Sequence, residues 1–260
     1  MARAYRYYIP GHIYHLTHRC HKREFLLKFS KDRKRWLELL FEARKRFSLS
    51  VLNYTVTSNH IHLLVLDNTG KDVIPRSMQL IAGRLGQEYN RRKRRNGAFW
   101  EDRYHATAVQ KEVHLIQCMV YIDLNMVRAG VVEHPCEWSW TGYNEIQAPK
   151  TRYRLIDYQR LMRLLNFEDY ADFSSTYRKW IEASLMKKQS TRDTRWTQSI
   201  ATGSQAFVER VKQQLGITAR GRQVIANKSE HHELKESQRV YATRVTSVNS
   251  TNTLKWNELS

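Results

Sequence analysis

The chain has 260 residues, enough to bury a core in one domain with an accessory segment or in two small domains. It carries 44 Lys plus Arg against 25 Asp plus Glu, a net charge of +19, and such a field selects polyanions, nucleic acid before others. A basic membrane-surface protein would need an amphipathic basic helix or a lipidation site, and a spanning one an apolar run of roughly 18 residues; with neither present, the expectation is a cytoplasmic, nucleoid-associated protein with no membrane partner.

The first predicted element is a strand over Gly11 to Cys20, apolar and aromatic and bounded by Pro10-Gly11 and then by charge. Ser30 is placed as the N-cap of a helix to Phe47, whose Trp36, Leu37, Leu39, Leu40, Ala43 and Phe47 form one stripe. Ser48 to Thr57 and His60 to Leu66 are β-rich runs joined by Ser58-Asn59, which predicts a hairpin. After Pro75 a second helix runs through Met78, Leu80, Ile81, Leu85 and Tyr89 into a basic run that stops at Asn96-Gly97. A fourth strand is predicted at Tyr104 to Gln110 and a third helix from Glu112 to about Met126, before Gly130. Beyond Pro149 come helical stretches at Tyr158 to Asn166, Tyr170 to Met186 and Ser204 to Leu215, and from about Lys228 a polar tail expected to be flexible. Cys20, Cys118 and Cys136 show no paired spacing and are read as free thiols. The β-α-β-β-α-β order predicts an α+β fold: a ferredoxin-like, RRM-like antiparallel sheet with two helices on one face, an extra helix, and a helical C-terminal extension.

Three features point to chemistry. In Ser58-Asn59-His60-Ile61-His62-Leu63, strand alternation turns His60 and His62 to the same face, where two imidazoles can ligate one divalent ion; with 11 histidines in the chain, a pair of surface histidines reads equally well. Tyr121 and Asn125 stand at i and i+4, so a phenol and an amide share one face of the third helix while Asp123 points elsewhere; a buried tyrosine beside a helix-end asparagine is the plainer reading. The third feature is the cation run of Arg91, Arg92, Arg94 and Arg95, followed by Trp100, Arg103 and Tyr104. It interleaves phosphate-gripping charge with rings on which unpaired bases can stack. His12, His15, His18 and His21 are spaced by three, which scatters them around a strand, and they are read as structural or DNA-facing.

These segments together resemble the IS200/IS605-type Y1 transposases, in particular the REP-associated tyrosine transposase branch of the HUH superfamily. The resemblance rests on Asn53-Tyr54, on Thr57-Ser58-Asn59-His60-Ile61-His62-Leu63-Leu64, on Gly97 to Tyr104, on Tyr121-Ile122-Asp123-Leu124-Asn125 and on Val127-Arg128-Ala129-Gly130, and it covers roughly residues 5 to 145. It implies that His60, His62 and Asn125 hold a divalent metal, Mg²⁺ or Mn²⁺. It further implies that Tyr121 is the nucleophile, that Arg128 belongs with Arg91, Arg92, Arg94, Arg95, Trp100, Arg103 and Tyr104 among the DNA-binding residues, and that the product is a 5′-phosphotyrosine link. The implied partner is single-stranded or hairpin DNA, with the protein a monomer or homodimer. Residues 1–147 are then the catalytic domain, 148–227 a helical accessory extension and 228–260 the tail. Met126 stands where the family usually has proline. A relaxase or replication-initiator nickase and a non-catalytic RRM-like module are the competing readings.

Overall fold

The chain's sheet begins with β1 (Ile13–Arg19), followed by α1 (Ser30–Phe47), the hairpin β2 (Ser50–Val56) and β3 (His60–Leu66), α2 (Val73–Lys93) and β4 (His105–Val109). In the computed structural model, which describes residues 8–68, 72–187, 193–226 and 231–236, these strands lie side by side as β2-β3-β1-β4. Every pairing among the four is antiparallel, which is the predicted split βαβ arrangement. One face is covered by α1 and α2, whose apolar stripes bury Trp36, Leu39, Leu40 and Ala43 and Ile74, Met78, Ile81 and Leu85. Their outer sides are laced by Arg35–Glu88 at 2.7 Å and Arg84–Glu42 at 2.6 Å, half-exposed pairs worth at most about 1 kcal/mol each. The apolar stripes therefore supply most of the helix docking.

Two boundaries move by a residue or two. Phe29, not Ser30, occupies the N-cap of α1, and no side chain caps it. α2 starts ahead of Pro75, which falls in the first turn where its missing N–H costs nothing. The predicted third helix divides at Leu124 (φ −78°, ψ 7°) into α3 (Val113–Asp123) and α4 (Asn125–Arg128), and Gly130 at φ +65° ends it as expected. The bonds Leu124 N–H to Val120 O and Arg128 N–H to Leu124 O bridge the division, so Tyr121 and Asn125 still share a side.

The C-terminal part departs more from expectation. It does carry α5 (Gly142–Gln147), α6 (Tyr158–Leu164), α7 (Tyr170–Met186), α8 (Arg195–Gln198) and α9 (Gln205–Leu215), but it also supplies β5 (Ala201–Gly203), β6 (Arg222–Ala226) and β7 (His232–Glu236). These extend the same sheet to β2-β3-β1-β4-β5-β7-β6, with β5 parallel to β4. The physical reason is the open edge of β4: the N–H groups of Ala108 and Gln110 donate to the carbonyls of Ile200 and Thr202 at 2.8 and 3.2 Å. β7 falls within the stretch expected to be a flexible tail. Its Leu234 is fully buried, and Glu233 accepts from Ser199 Oγ and pairs with Lys235. Residues 228–230 and 237–260 of that tail lie outside the described residues.

Candidate active site

Residues directly opposite in an antiparallel sheet share a face. Thr55, His62 and Thr17 are aligned across β2, β3 and β1, and Asn53, Leu64, His15 and Thr107 form the neighbouring row across β2, β3, β1 and β4. This face is turned away from α1 and α2, and α3 covers it. Thr55 Oγ1 donates to the carbonyl of Ile122 at 3.1 Å and Asn53 Nδ2 to that of Met119 at 3.3 Å, so β2 fixes the helix that carries Tyr121. His15, Asn53, Thr55 and Thr107 are buried beneath this cover and present no open face for base stacking, which removes the structural basis of the RRM-like reading.

Between α3, α4 and the sheet lies a cavity of about 580 Å³ lined by His60, His62, Tyr121, Asn125, Arg128 and Thr197, among others. The predicted metal residues and nucleophile, spread over sixty-odd positions of sequence, therefore meet in one place. His60 and His62 have ring centroids 5.0 Å apart and nearly perpendicular planes. His60 Nδ1 donates to Asn59 Oδ1 at 2.7 Å, which leaves the lone pair on Nε2. His62 Nε2 lies 3.0 Å from Asn125 Nδ2, while its Nδ1 lies 2.9 Å from Nε2 of His15. Burial pulls the imidazole of His15 down to about 3, so it is neutral at physiological pH. Among the described residues no cluster of three or more His, Cys, Asp or Glu could hold a metal, so an ion here would be held by two imidazoles and the Asn125 carboxamide. That donor set, with two lone-pair nitrogens turned by their second hydrogen bonds, fits a divalent cation that keeps further positions open.

Tyr121 is buried to 7% exposure at the cavity wall, its ring centroid 5.8 Å from that of His62 and 6.1 Å from that of Trp196. The guanidinium of Arg128 lies 4.1 Å over the Tyr121 ring and donates to the Tyr121 carbonyl at 2.6 Å. Burial lowers the pKa of Arg128, and interaction with Tyr121 opposes that shift. Two residues on, Asp123 points elsewhere, as expected, and its side chain is buried in the protein. Its carboxylate accepts from Thr141 Oγ1 at 2.5 Å, Asn53 Nδ2 at 3.0 Å, the Tyr143 N–H at 3.3 Å and the Tyr177 hydroxyl. The motif thus alternates between a site residue and an anchor that ties α3 to β2, α5 and α7.

The predicted DNA-binding residues divide. Arg103 and Arg128 line the cavity together with the acidic pair Glu101 and Asp102. Arg91 and Arg94 are exposed at the C-terminal end of α2, away from the cavity lining. Arg92 is paired to buried Asp32, and Arg95 donates to the Ala98 carbonyl at 2.9 Å and lies 3.7 Å from Glu24. Trp100 stacks on His18 with ring centroids 4.0 Å apart, its indole N–H donates to Ala82 O at 3.1 Å, and Tyr104 is bonded to the Tyr8 hydroxyl. These bonds give both rings a packing role. The sequence reading did not select Thr197 or Thr17, which also line the cavity, and it placed His15 only as scattered with its neighbours. A count along one strand carries no signal for His15, because its partner His62 comes from the adjacent strand.

The family model of the IS200-like transposases matches residues 8–125. Over residues 8–125 the chain is therefore similar to the IS200-like transposases. The matched segment contains β1 through α3 together with His60, His62, Tyr121 and Asn125. A solved structure of a REP-associated tyrosine transposase bound to a REP hairpin is similar at 18% identity, covering 57% of this chain and 87% of that one with a TM-score of 0.49. A candidate transposase from Deinococcus radiodurans R1 is 18% identical, covering 42% and 86% of the two chains with a TM-score of 0.33. No curated protein sequence matches. Among the described residues no helix is long and apolar enough to cross a membrane.

Proposed function

We propose that this chain is a transposase of the IS200-like kind, a metal-dependent endonuclease and strand transferase acting on single-stranded, hairpin-containing DNA, with Tyr121 as nucleophile. The observation that carries the reading is the meeting of His60, His62, Asn125 and Tyr121 on one cavity within a chain of net charge +19. A divalent ion, Mg²⁺ or Mn²⁺, held by His60, His62 and Asn125 would neutralise charge on the scissile phosphate. Tyr121 Oη forms a bond to phosphorus as the bond to the 3′ oxygen breaks. The phenol proton passes to solvent, the leaving oxygen takes one up as a free 3′-hydroxyl, and the 5′-phosphotyrosine conserves the bond energy for rejoining. Arg128, fixed over the ring, favours the developing phenolate and the phosphate alike. Arg103 at the rim and exposed Arg91 and Arg94 supply the sequence-independent grip on the strand.

The test is incubation of the purified protein with a set of labelled single-stranded hairpins and Mn²⁺, followed by denaturing electrophoresis. The wild type should give a covalent adduct that EDTA abolishes and Tyr121→Phe does not form. An adduct with Tyr121→Phe would overturn the nucleophile, an EDTA-resistant one the metal, and none with any hairpin the nuclease reading itself.

A further inference from the structure

The family match ends at residue 125, yet a short piece of the C-terminal extension reaches the innermost part of the site. β5, paired in parallel with β4, delivers the preceding segment Trp196–Ser199 to the sheet face beneath Tyr121. There the Trp196 carbonyl accepts from His15 Nδ1 at 2.8 Å and from Thr107 Oγ1 at 3.3 Å, and the Ser199 carbonyl accepts from Thr107 Oγ1 at 2.6 Å and His105 Nε2 at 3.0 Å. Trp196 is buried to 1% and its ring flanks Tyr121, while Thr197 lines the cavity.

We infer that His15 is a positioning residue that, set by the Trp196 carbonyl, selects the tautomer and ring orientation of His62. The deduction follows hydrogen-bond polarity. A carbonyl can only accept, so His15 Nδ1 carries the hydrogen; the ring is fully buried, where a second, charging proton is disfavoured, and its lone pair lies on Nε2. That lone pair, 2.9 Å from His62 Nδ1, requires the hydrogen on His62 Nδ1 and leaves the His62 lone pair on Nε2. The result is a ligand nitrogen turned toward Asn125, 3.0 Å away, which in turn donates to it. The His15 and His62 rings, 5.0 Å between centroids and 11° between planes, are nearly parallel, as a hydrogen bond between two ring nitrogens in the ring planes requires, and that bond also holds the His62 ring against rotation. His15 thus occupies the place that a carboxylate or a backbone carbonyl takes behind many metal-ligating histidines, and a backbone carbonyl from the extension completes the chain. The role of His62 as a ligand rests on the function proposed above; its tautomer does not.

Two measurements on the full chain separate these claims. Long-range ¹H–¹⁵N spectra of the metal-free wild type at about pH 7.5 should show His62 and His15 both as Nδ1–H tautomers, with a slowly exchanging Nδ1 proton on His15. Mn²⁺ titration should show binding weakened by about 10–100-fold in His15→Leu and restored to within about fivefold of wild type in His15→Gln, which keeps an acceptor facing His62. An Nε2–H tautomer of His62 in the wild type overturns the inference, as does wild-type Mn²⁺ affinity in His15→Leu. If His15→Leu does not fold by circular dichroism, the tautomers and the Gln variant decide. A wild type that binds no Mn²⁺ while showing the expected tautomers would sink the metal reading of the site and leave the positioning of His62 standing.

Discussion

Asp123 offers a pH dependence with an unusual sign. Burial raises its pKa from 3.8 to about 6, against the pull of the hydrogen bonds from Thr141, Tyr177, Asn53 and Tyr143. A carboxyl with a raised folded pKa binds more protons in the folded than in the unfolded state between those two values. Its contribution is therefore fully present below 3.8 and is lost as pH rises through about 6. A shift of this size corresponds to about 3 kcal/mol in all, and the part falling between about pH 4.5 and about pH 7.5 is about 2 kcal/mol. Asp123→Asn removes the titration. It also places an amide N–H₂ among donors: Tyr177 and Thr141 hydroxyls can turn to accept, but Asn53 Nδ2 and the Tyr143 N–H cannot, a conflict worth about 1–3 kcal/mol that does not vary with pH. The difference in unfolding free energy, wild type minus variant, measured by urea denaturation across that window, should fall by about 2 kcal/mol toward high pH. A flat difference curve, or one that rises, would refute the claim that desolvation outweighs the four hydrogen bonds at this carboxyl.

Two further predictions test the frame and the DNA surface. A Cβ added at Gly142 would lie 2.0 Å from Asn53 Oδ1, an atom held by the Tyr54 N–H at 2.8 Å, so Gly142→Ala should destabilise by about 2–4 kcal/mol in the same denaturation assay; a neutral result would mean that the Asn53–Asp123 cluster yields easily. The double substitution of exposed Arg91 and Arg94 by Ala should leave stability within about 0.5 kcal/mol of wild type while weakening single-stranded DNA binding. It should reduce the slope of log affinity against log salt by roughly 1.4, whereas an unchanged slope would show that these cations do not meet phosphates.

The elements with strong periodicity were legible in the sequence. α7 has its predicted bounds and α1 differs by one residue at its N-cap, because amphipathic stripes of this length leave few alternatives, and β3 is placed by the alternation of Ile61, Leu63 and Val65 against His60 and His62. The same alternation put both histidines on one face, and helical spacing put Tyr121 beside Asn125, so the chemical groups could be named from local geometry alone. What local geometry cannot express is which face meets which. The convergence of the two pairs on one cavity depends on Asn53 and Thr55 holding α3 over the sheet, with Asp123 as the anchor. The sorting of the basic and aromatic run was likewise tertiary: Arg92 and Arg95 turn to Asp32 and Glu24 and Trp100 to His18, while Arg103 faces the cavity. Most hidden was the contribution of the C-terminal extension. β5 is three residues long and pairs only because β4 has an open edge, so no pattern within Ala201–Gly203 announces it. The sequence by itself thus determined the strand and helix order of residues 8–125 and which side chains were candidates for the chemistry. Only the tertiary structure decided that a carbonyl at residue 196 stands behind a histidine at 15, because hydrogen-bond partners 181 positions apart are set by strand order and register.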